Sequence, residues 1–245
     1  MKTKQLQSVI LIVFATLTAF AEPVSYQAGE TRCEGWYVSP SPGAPLVLLV
    51  HDWDGLTDYE KQRASMLYDL GYAVFCADLF GAGVRPVELD AKRKCTGELY
   101  ADREKMRSLM VGALAAAKGQ GGNIDNAVTI GYCFGGTSVL EFACAGADLK
   151  GFVTFHGGLQ TPDGQDYSKT KGQVMVFHGT ADSSVTMDDF AGLARDLETA
   201  GVPHELITYG GAPHAFTIFG SDRYRKDADE KSWRRFVQFL EETLD

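Results

Sequence analysis

The sequence lacks the cysteine patterns that mark metal sites or disulfide exchange. Its 245 residues include five cysteines, with no Cys-x-x-Cys pair and no Cys/His cluster at zinc spacing, so a thiol oxidoreductase or a zinc protein is disfavoured. Because five is an odd number, at least one thiol stays unpaired or pairs between chains. The others form up to two disulfides or are buried small apolar residues, and the sequence leaves both alternatives open.

Basic side chains are also scarce. The chain has 23 Lys and Arg residues against 32 Asp and Glu residues, a formal net charge of −9. Non-specific binding to nucleic acid or to an anionic membrane needs a positively charged surface, so this balance predicts neither kind of partner. Internal repeats and low-complexity tracts are absent as well. A small-molecule site within one compact domain is therefore expected.

The first 21 residues are typical of a signal peptide. Lys2 and Lys4 precede a short apolar run, and residues 19–21 read Ala-Phe-Ala, the form of a cleavage site. The run is too short for a comfortable membrane span, although an uncleaved N-terminal anchor is an alternative. We expect an exported protein, periplasmic or secreted, whose mature chain 22–245 is a single α/β domain without a membrane segment. Cleavage removes two lysines and no acid, leaving a net charge of −11.

The stretch from Val128 to Thr137 predicts a buried strand that turns sharply into a helix, with Cys133 at the corner. Gly131 and Gly135 lie two residues on either side of this thiol. In such a nucleophile elbow the strand and helix cross so closely that side chains at the two glycines would collide. The helix N-terminus also favours thiolate over thiol. A glycine-rich turn around an inert cysteine is the alternative for this motif alone.

Buried apolar runs alternate with helical segments along the mature chain. This rhythm predicts an α/β fold, an α/β-hydrolase-like mostly parallel sheet with helices on both faces. Besides the elbow strand, the predicted strands are Thr31–Val38 (an edge strand), Leu46–Val50, Tyr72–Ala77, Gly151–Phe155, Val174–Phe177 and Glu205–Tyr209. Helices are predicted at Thr57–Leu70, Asp102–Lys118, Met187–Ala200 and Lys226–Leu244, and directly after Cys133. We interpret Gly81–Leu99 as an active-site loop with one irregular turn, because it is mixed in charge and contains Arg85-Pro86.

An acid and a histidine follow Cys133 in the order nucleophile, acid, histidine. Asp182 and His214 each come directly after a predicted strand, and the carboxyl ends of parallel strands meet at one edge of a sheet. A thiol that attacks a carbonyl needs a base, and that base needs a third group to fix its tautomer. The order is that of α/β-hydrolases, so Cys133, Asp182 and His214 are predicted as a catalytic triad. Taken singly, Asp182 could cap a turn and His214 could bond to backbone.

Three further histidines, His51, His156 and His178, close strands on the same side of the predicted sheet. We interpret each as a structural residue that bonds to neighbouring loops. A metal site is the alternative, but no carboxylate lies at a fixed helical spacing from any of them. The sequence therefore predicts neither a metal nor a cofactor.

Three motifs resemble those of the dienelactone hydrolase family, the cysteine-dependent members of the α/β-hydrolase fold. They are Gly-Tyr-Cys-Phe-Gly-Gly at 131–136, His-Gly-Thr-Ala-Asp at 178–182 and Pro-His-Ala-Phe at 213–216. The resemblance covers the chain from Leu46 onward. It implies that the cysteine of the first motif is the nucleophile, the histidine of the third its base, and the aspartate of the second the partner of that base.

The resemblance also implies roles for residues beside Cys133. The family has an acidic residue that contacts the resting thiol and helps to activate it, and Asp52 matches this residue, although the family residue is the longer glutamate. An acyl-transfer site needs donors for the developing oxyanion. The backbone N–H of Phe134 is one candidate, and the resemblance points to the N–H of Trp53 as the other.

The substrate is where this chain departs from the family pattern. The family holds a small anionic lactone with two arginines, but Ile218 stands where the second is expected, and Arg85 matches the first only with a shifted register. A pocket with at most one guanidinium loses bidentate recognition of a carboxylate. We therefore predict a neutral ester or lactone whose apolar or aromatic acyl group packs near Trp53, Phe80 and Phe134.

These observations together predict an exported hydrolase of ester, lactone or related acyl bonds that forms an acyl-thioenzyme. Two other classes remain open: a non-catalytic ligand-binding protein on the same fold, and a redox-responsive thiol protein in an oxidising compartment. The identity of the substrate and the oligomeric state are not predicted.

Overall fold

The computed structural model describes residues 21–244, so the predicted signal segment, apart from Ala21, lies outside the described residues. Within them one eight-stranded sheet has the order β1-β2-β4-β3-β5-β6-β7-β8. The strands are β1 Glu22–Ala28, β2 Thr31–Val38, β3 Pro45–Val50, β4 Ala73–Ala77, β5 Asn123–Tyr132, β6 Gly151–Phe155, β7 Gln173–Gly179 and β8 His204–Tyr209. The helices are α1 Asp58–Asp69, α2 Leu89–Ala101, α3 Arg103–Gly119, α4 Phe134–Cys144, α5 Met187–Ala200 and α6 Lys226–Thr243. None of these helices is both long and apolar enough to cross a membrane.

Side chains of the central strands alternate between two apolar cores. Leu46, Leu48 and Val50 of β3 face the core that contains α3, α4 and α5, whereas Val47 and Leu49 face the core that contains α1 and α6. All five are completely buried, and burying such a side chain contributes roughly 1.5–3 kcal/mol. Both faces of the central strands are therefore covered, and the candidate site is formed by residues that follow the carboxyl ends of the strands.

The N-terminal part of the sheet differs from the prediction. β2 has the predicted bounds, but it is not the edge strand, because β1 pairs with it antiparallel on its outer side. Only Val24 and Ala28 of β1 are buried. The alternation of apolar and polar residues in this segment is therefore weak, and the sequence gives little indication of a strand there. β2 also pairs antiparallel with β4, and the parallel pairs run from β4 through β3 to β8.

The prediction of a loop over Gly81–Leu99 was wrong for the second half of this segment, because those residues form most of α2. Arg85-Pro86 interrupts the chain only as far as Glu88, the residue that precedes the helix. Eight of the thirteen residues of the helix are Leu, Ala, Lys, Arg or Glu, which are good helix formers, and the helix buries Thr96 and Leu99.

The start of α1 is fixed by the predicted capping box. The Thr57 side chain accepts a hydrogen bond from the N–H of Tyr59, and the Glu60 carboxylate accepts one from the N–H of Thr57 at 2.7 Å. Unlike a usual capping glutamate, Glu60 is completely buried. It also accepts the backbone N–H of Asp52, on the loop that joins β3 to α1, at 3.3 Å.

Candidate active site

Cys133 occupies a sharp turn between β5 and α4. Its backbone has φ 50° and ψ −110°, a region that non-glycine residues rarely adopt. A Cβ atom at Gly131 would lie 2.2 Å from the carbonyl carbon and oxygen of Gly135, and one at Gly135 would lie 2.4 Å from the carbonyl oxygen of Val50. Both obstacles are backbone atoms, so neither glycine can be replaced without moving the strand or the helix. The turn thus has the geometry that the two glycines predict.

The loops after β5, β7 and β8 bring Cys133, Asp182 and His214 into one hydrogen-bonded line. The Nε2 atom of His214 lies 3.1 Å from the Sγ atom of Cys133, and its Nδ1 atom lies 2.7 Å from Oδ2 of Asp182. Because the carboxylate accepts the Nδ1–H, Nε2 of the neutral ring is left as the proton acceptor facing the thiol. This arrangement can accept a proton from the sulfur.

Asp182 is held by more than the histidine. Its Oδ1 atom accepts the backbone N–H groups of Ser184 and Val185 at 2.8 and 2.9 Å. Burial raises the pKa of Asp182, but the hydrogen bond from His214 and the two backbone donors outweigh it, so the pKa lies below its usual range. Asp182 is therefore ionised at neutral pH and can orient the imidazole.

The thiol of Cys133 does not have the lowered pKa that the turn predicts. Burial raises its pKa well above the usual value, and the neighbouring carboxylate of Asp52 raises it further, while the N–H of Phe134 lowers it. The first N–H of the helix thus favours thiolate, as the turn predicts, but burial and Asp52 outweigh it. The resting sulfur carries its proton.

Asp52 follows β3, and its carboxylate and the thiol of Cys133 influence each other's pKa. Its Oδ1 atom accepts the N–H of the next residue, Trp53, at 2.5 Å. Burial raises the pKa of Asp52 to about 6, against the opposing effect of the Trp53 N–H. The side chain is shorter than the family glutamate, and its contact with the resting thiol stays a prediction.

The two predicted oxyanion donors are placed differently. The N–H of Phe134, the residue after the nucleophile, lowers the pKa of Cys133. The N–H of Trp53 is occupied by Asp52 in this arrangement. Both oxyanion roles stay predictions, and the role of Trp53 requires that Asp52 release this N–H.

His51 fixes the loop that carries Asp52 and Trp53. Its Nε2 atom accepts the N–H of Leu79 at 3.1 Å, so Nδ1 carries the ring proton and donates to the carbonyl oxygen of Asp52 at 2.6 Å. Burial lowers the pKa of His51, which keeps it neutral. The buried ring thus joins the loops after β3 and β4, in keeping with its interpretation as a structural residue.

The other two strand-end histidines are buried near His214 without touching the sulfur. His156 is hydrogen-bonded through Nε2 to the hydroxyl of Thr217 at 2.8 Å, and its ring centroid lies 5.4 Å from that of His214. His178 stacks against Phe190. In residues 21–244 no three His, Cys, Asp or Glu side chains form a group that could hold a metal ion.

The guanidinium of Arg85 is directed at protein groups. Nε donates to the carbonyl oxygen of Leu56 at 2.5 Å, and Nη1 donates to that of Val84 at 2.8 Å and lies 3.4 Å from Oδ1 of the fully buried Asp78. These contacts tie the segment after β4 to the loop before α1. The predicted contact between Arg85 and substrate would have to replace them, and it stays a prediction.

An aromatic surface lies beside Cys133. The ring of Phe80 is 5.2 Å from that of Phe134, and Trp53 is partly buried against the same core. Of the two predicted contact residues, Phe80 therefore lies next to the first residue of α4.

Helix α2 adds residues that sequence reasoning missed. Tyr100 packs its ring 5.6 Å from Phe134, and Lys92 places Nζ 5.2 Å from the ring centroid of Trp53 and 3.5 Å from Oδ2 of Asp54. Lys92, Thr96 and Tyr100 are spaced by four residues and so share one helix face. That spacing is the signal that could have identified them, had the segment been predicted as a helix.

Comparison with known proteins places this arrangement in a family. The chain is 30% identical to a crystal structure titled as a dienelactone hydrolase-like promiscuous phosphotriesterase from metagenomic libraries, with a TM-score of 0.86 over 93% of this chain and 99% of that one. A second structure, titled m3DLH, is 29% identical, with a TM-score of 0.87 and the same coverage. Among curated proteins, protein usf of Aquifex pyrophilus is 23% identical over 227 residues, 90% of this chain and 98% of its own length.

These similarities confirm the predicted α/β-hydrolase-like fold and show that the protein is a hydrolase. The model of the dienelactone hydrolase family matches residues 34–244. That range runs from β2 to the end of α6 and includes the elbow, Asp182 and His214. The chain belongs to the dienelactone hydrolase family.

Proposed function

We propose that this protein is an exported hydrolase that cleaves ester, lactone or related acyl bonds through an acyl-thioenzyme on Cys133. One observation carries the proposal: the continuous line of contacts from the sulfur through both nitrogens of His214 to the Asp182 carboxylate, with distances of 3.1 and 2.7 Å. A thiol, a base and an orienting acid in contact are what nucleophilic catalysis needs. A protein that only binds ligand has no need of all three.

The first half of the proposed reaction forms the acyl-thioenzyme. Nε2 of His214 takes the thiol proton as the sulfur of Cys133 attacks the carbonyl carbon. The oxyanion is stabilised by the N–H of Phe134 and, once Asp52 releases it, that of Trp53. The C–O bond then breaks, and the proton on His214 passes to the leaving oxygen.

The second half releases the acid and restores the thiol. Water, deprotonated by Nε2 of His214, attacks the thioester carbonyl, and the sulfur leaves and regains its proton. Throughout, Asp182 keeps the imidazole in one orientation and stabilises its positive charge. We assign the tuning of the resting thiol to Asp52, whose carboxylate raises the pKa of Cys133.

Hydrolysis of a chromogenic aryl ester, before and after alkylation with iodoacetamide, tests the proposed function. We expect steady hydrolysis that alkylation of Cys133 removes in proportion to the modified fraction. A binding protein would show no turnover, and a redox thiol protein would react with iodoacetamide but not hydrolyse the ester. Because the similar metagenomic enzyme is titled as a phosphotriesterase, a neutral aryl phosphate triester is a second substrate class for the same assay.

Charge is expected to decide which substrates are turned over. The sequence is acidic, with a net charge of −9, and Arg85 is occupied by Asp78 and carbonyl oxygens. We therefore expect a higher kcat/KM for a neutral aryl ester than for its carboxylate-bearing analogue, by about tenfold at low salt and less at high salt.

Arg85→Ala is the matched variant for this comparison. It should lower thermal stability, because it removes the contacts to Leu56 and Asp78, without changing the ratio of the two kcat/KM values. A preference for the carboxylate that Arg85→Ala removes would instead show that this guanidinium binds anionic substrates.

A further inference from the structure

Arg63 of α1 is a buried cation with only 1% of its surface exposed. Its guanidinium is paired with Asp229 of α6, and the ring centroid of Phe219 lies 4.2 Å from its Cζ atom. A buried charge is costly to the fold unless it is paired and hydrogen-bonded. The guanidinium also donates from Nη2 to the carbonyl oxygen of Thr217 at 3.0 Å and from Nε to the hydroxyl of Tyr59 at 3.2 Å. This cation therefore holds the segment that follows β8, the segment that carries the proposed base.

Thr217 comes three residues after His214 and is completely buried. Besides the contact of its carbonyl oxygen with Arg63, its hydroxyl oxygen lies 2.8 Å from that of Tyr59 and 2.8 Å from Nε2 of His156. The ring of His156 meets that of His214 edge to face, with centroids 5.4 Å apart. A continuous series of contacts therefore runs from α1 through Thr217 to the imidazole of the proposed base.

Arg63 sets the direction of these hydrogen bonds, because a guanidinium only donates. The Tyr59 oxygen accepts from Nε–H and gives its own proton to Thr217, and the Thr217 hydroxyl then donates to Nε2 of His156. Any other order leaves one hydroxyl proton with no acceptor among these groups. Burial lowers the pKa of His156 well below its usual value, so the ring is neutral and can accept this bond.

The backbone is strained on both sides of the contact between the two histidine rings. Ala215, directly after His214, has φ 62°, and His156 has φ 40°. Within residues 21–244 the other non-glycine residue with positive φ is Cys133 itself. Such conformations persist only where the surrounding contacts determine them. The His214 loop therefore needs a fixed anchor, and Thr217, two residues after Ala215, supplies one.

We propose that Thr217 is a positioning residue of the active site: its hydroxyl fixes the ring of His156, and its backbone, held by Arg63, fixes the loop that carries His214. This deepens the proposed function, on which it rests, by naming the group that aims the base at the thiol. Proton transfer requires that Nε2 of His214 stay in line with the sulfur of Cys133, and small displacements of a reacting group are costly to the rate. Thr217 acts through His156 and through its own loop.

Thr217→Val removes the hydroxyl and keeps both the branched shape and the backbone contact with Arg63. We expect kcat for a neutral aryl ester to fall about tenfold. KM should stay nearly the same, because acylation and deacylation use the same base and slow down together. Thr217→Ser restores the hydroxyl and should recover most of the lost kcat.

Thr129→Val is the matched control. Thr129 of β5 is also completely buried, and its hydroxyl donates to the carbonyl oxygen of Leu48 at 3.1 Å. The same substitution there removes one buried hydrogen bond without touching the His214 loop. It should lower the thermal unfolding midpoint about as much as Thr217→Val does and leave kcat nearly unchanged.

Proton NMR tests the position of the base without an ester. The proton that Nδ1 of His214 shares with Asp182, at 2.7 Å, should give a far-downfield resonance, which is assigned by its loss in Asp182→Asn. In Thr217→Val this resonance should broaden or disappear, because a loosened ring lets the proton exchange with water. Thr217→Ser and Thr129→Val should retain it.

Tyr59→Phe repeats the test from the other end of the series of contacts, in case Thr217→Val does not fold. It removes the hydroxyl that donates to Thr217 and keeps the ring, so kcat should fall about threefold with KM unchanged. An unchanged kcat in the folded variants among Thr217→Val and Tyr59→Phe would overturn the proposal. So would a loss of kcat in Thr129→Val equal to that in Thr217→Val, or a Thr217→Ser variant as impaired as Thr217→Val. If the unaltered protein turned over no ester, the proposed function would be rejected, and the NMR comparison would still decide whether Thr217 positions His214.

Discussion

Cys133→Ala is expected to abolish ester hydrolysis and leave the fold intact. Loss of a nucleophile that forms a covalent intermediate lowers kcat by about a thousandfold or more. Alanine removes only the sulfur and keeps the Cβ atom, and residues with φ near 50°, as here, are held by the strand and helix on either side. The measurements are kcat/KM for a neutral aryl ester and the thermal unfolding midpoint.

Two other thiols provide matched controls for this variant. Cys76 and Cys144 are buried in the two cores, so alanine there should lower stability by about 1 kcal/mol, the loss of a small buried group, with rates nearly unchanged. Cys133→Ser should retain little activity, because a hydroxyl is a much weaker acid than a thiol. Full activity in Cys133→Ala would reject the cysteine mechanism.

The second large effect is expected for His214→Ala, which should lower kcat/KM by about a thousandfold or more. This variant removes the group that accepts the thiol proton, protonates the leaving group and activates water. Asp52→Ala should lower the rate less, by about ten- to a hundredfold, because Asp52 adjusts the thiol but does not carry protons through the cycle. The comparison requires kcat and KM for both variants on one ester.

Asp182→Asn distinguishes the two acids. Asparagine cannot accept the Nδ1–H and stabilise imidazolium as a carboxylate does. Asp182→Asn should therefore lower kcat/KM nearly as much as His214→Ala does. If Asp52→Ala were as damaging as His214→Ala while Asp182→Asn were mild, Asp52 would belong to the triad in place of Asp182.

Elements with strong local signals are predicted well from the sequence. Strand β6 and helix α5 have their predicted bounds, because an apolar run between glycine-rich turns, and an amphipathic stretch between Thr186 and Gly201, are local features. The strand β1 and the helix α2 were missed. Strand β1 depends on pairing with β2, and α2 was obscured by the proline before it, so both depend on more than their own residues.

The candidate site also has features that the sequence predicts and features that it does not. That Cys133, Asp182 and His214 would converge follows from chain order and strand ends alone. The partners of Arg85, the occupied N–H of Trp53 and the depth of Glu60 depend on side-chain packing, which no spacing in the sequence encodes. The raised pKa of Cys133 could not be predicted from the sequence either, because burial is a property of the folded chain.

The order of strands has a consequence for heat inactivation. Cys133 follows β5, which is paired on both sides, whereas His214 follows β8, which within residues 21–244 is paired only with β7. Edge strands separate at a lower free-energy cost than central ones. Moderate warming should therefore detach the base from a nucleophile that is still in place, and the chain would lose its chemistry while its central sheet remained folded. The highest temperature at which the protein is active is then set by the hydrogen bonds between β7 and β8 at the edge of the sheet, and not by the core.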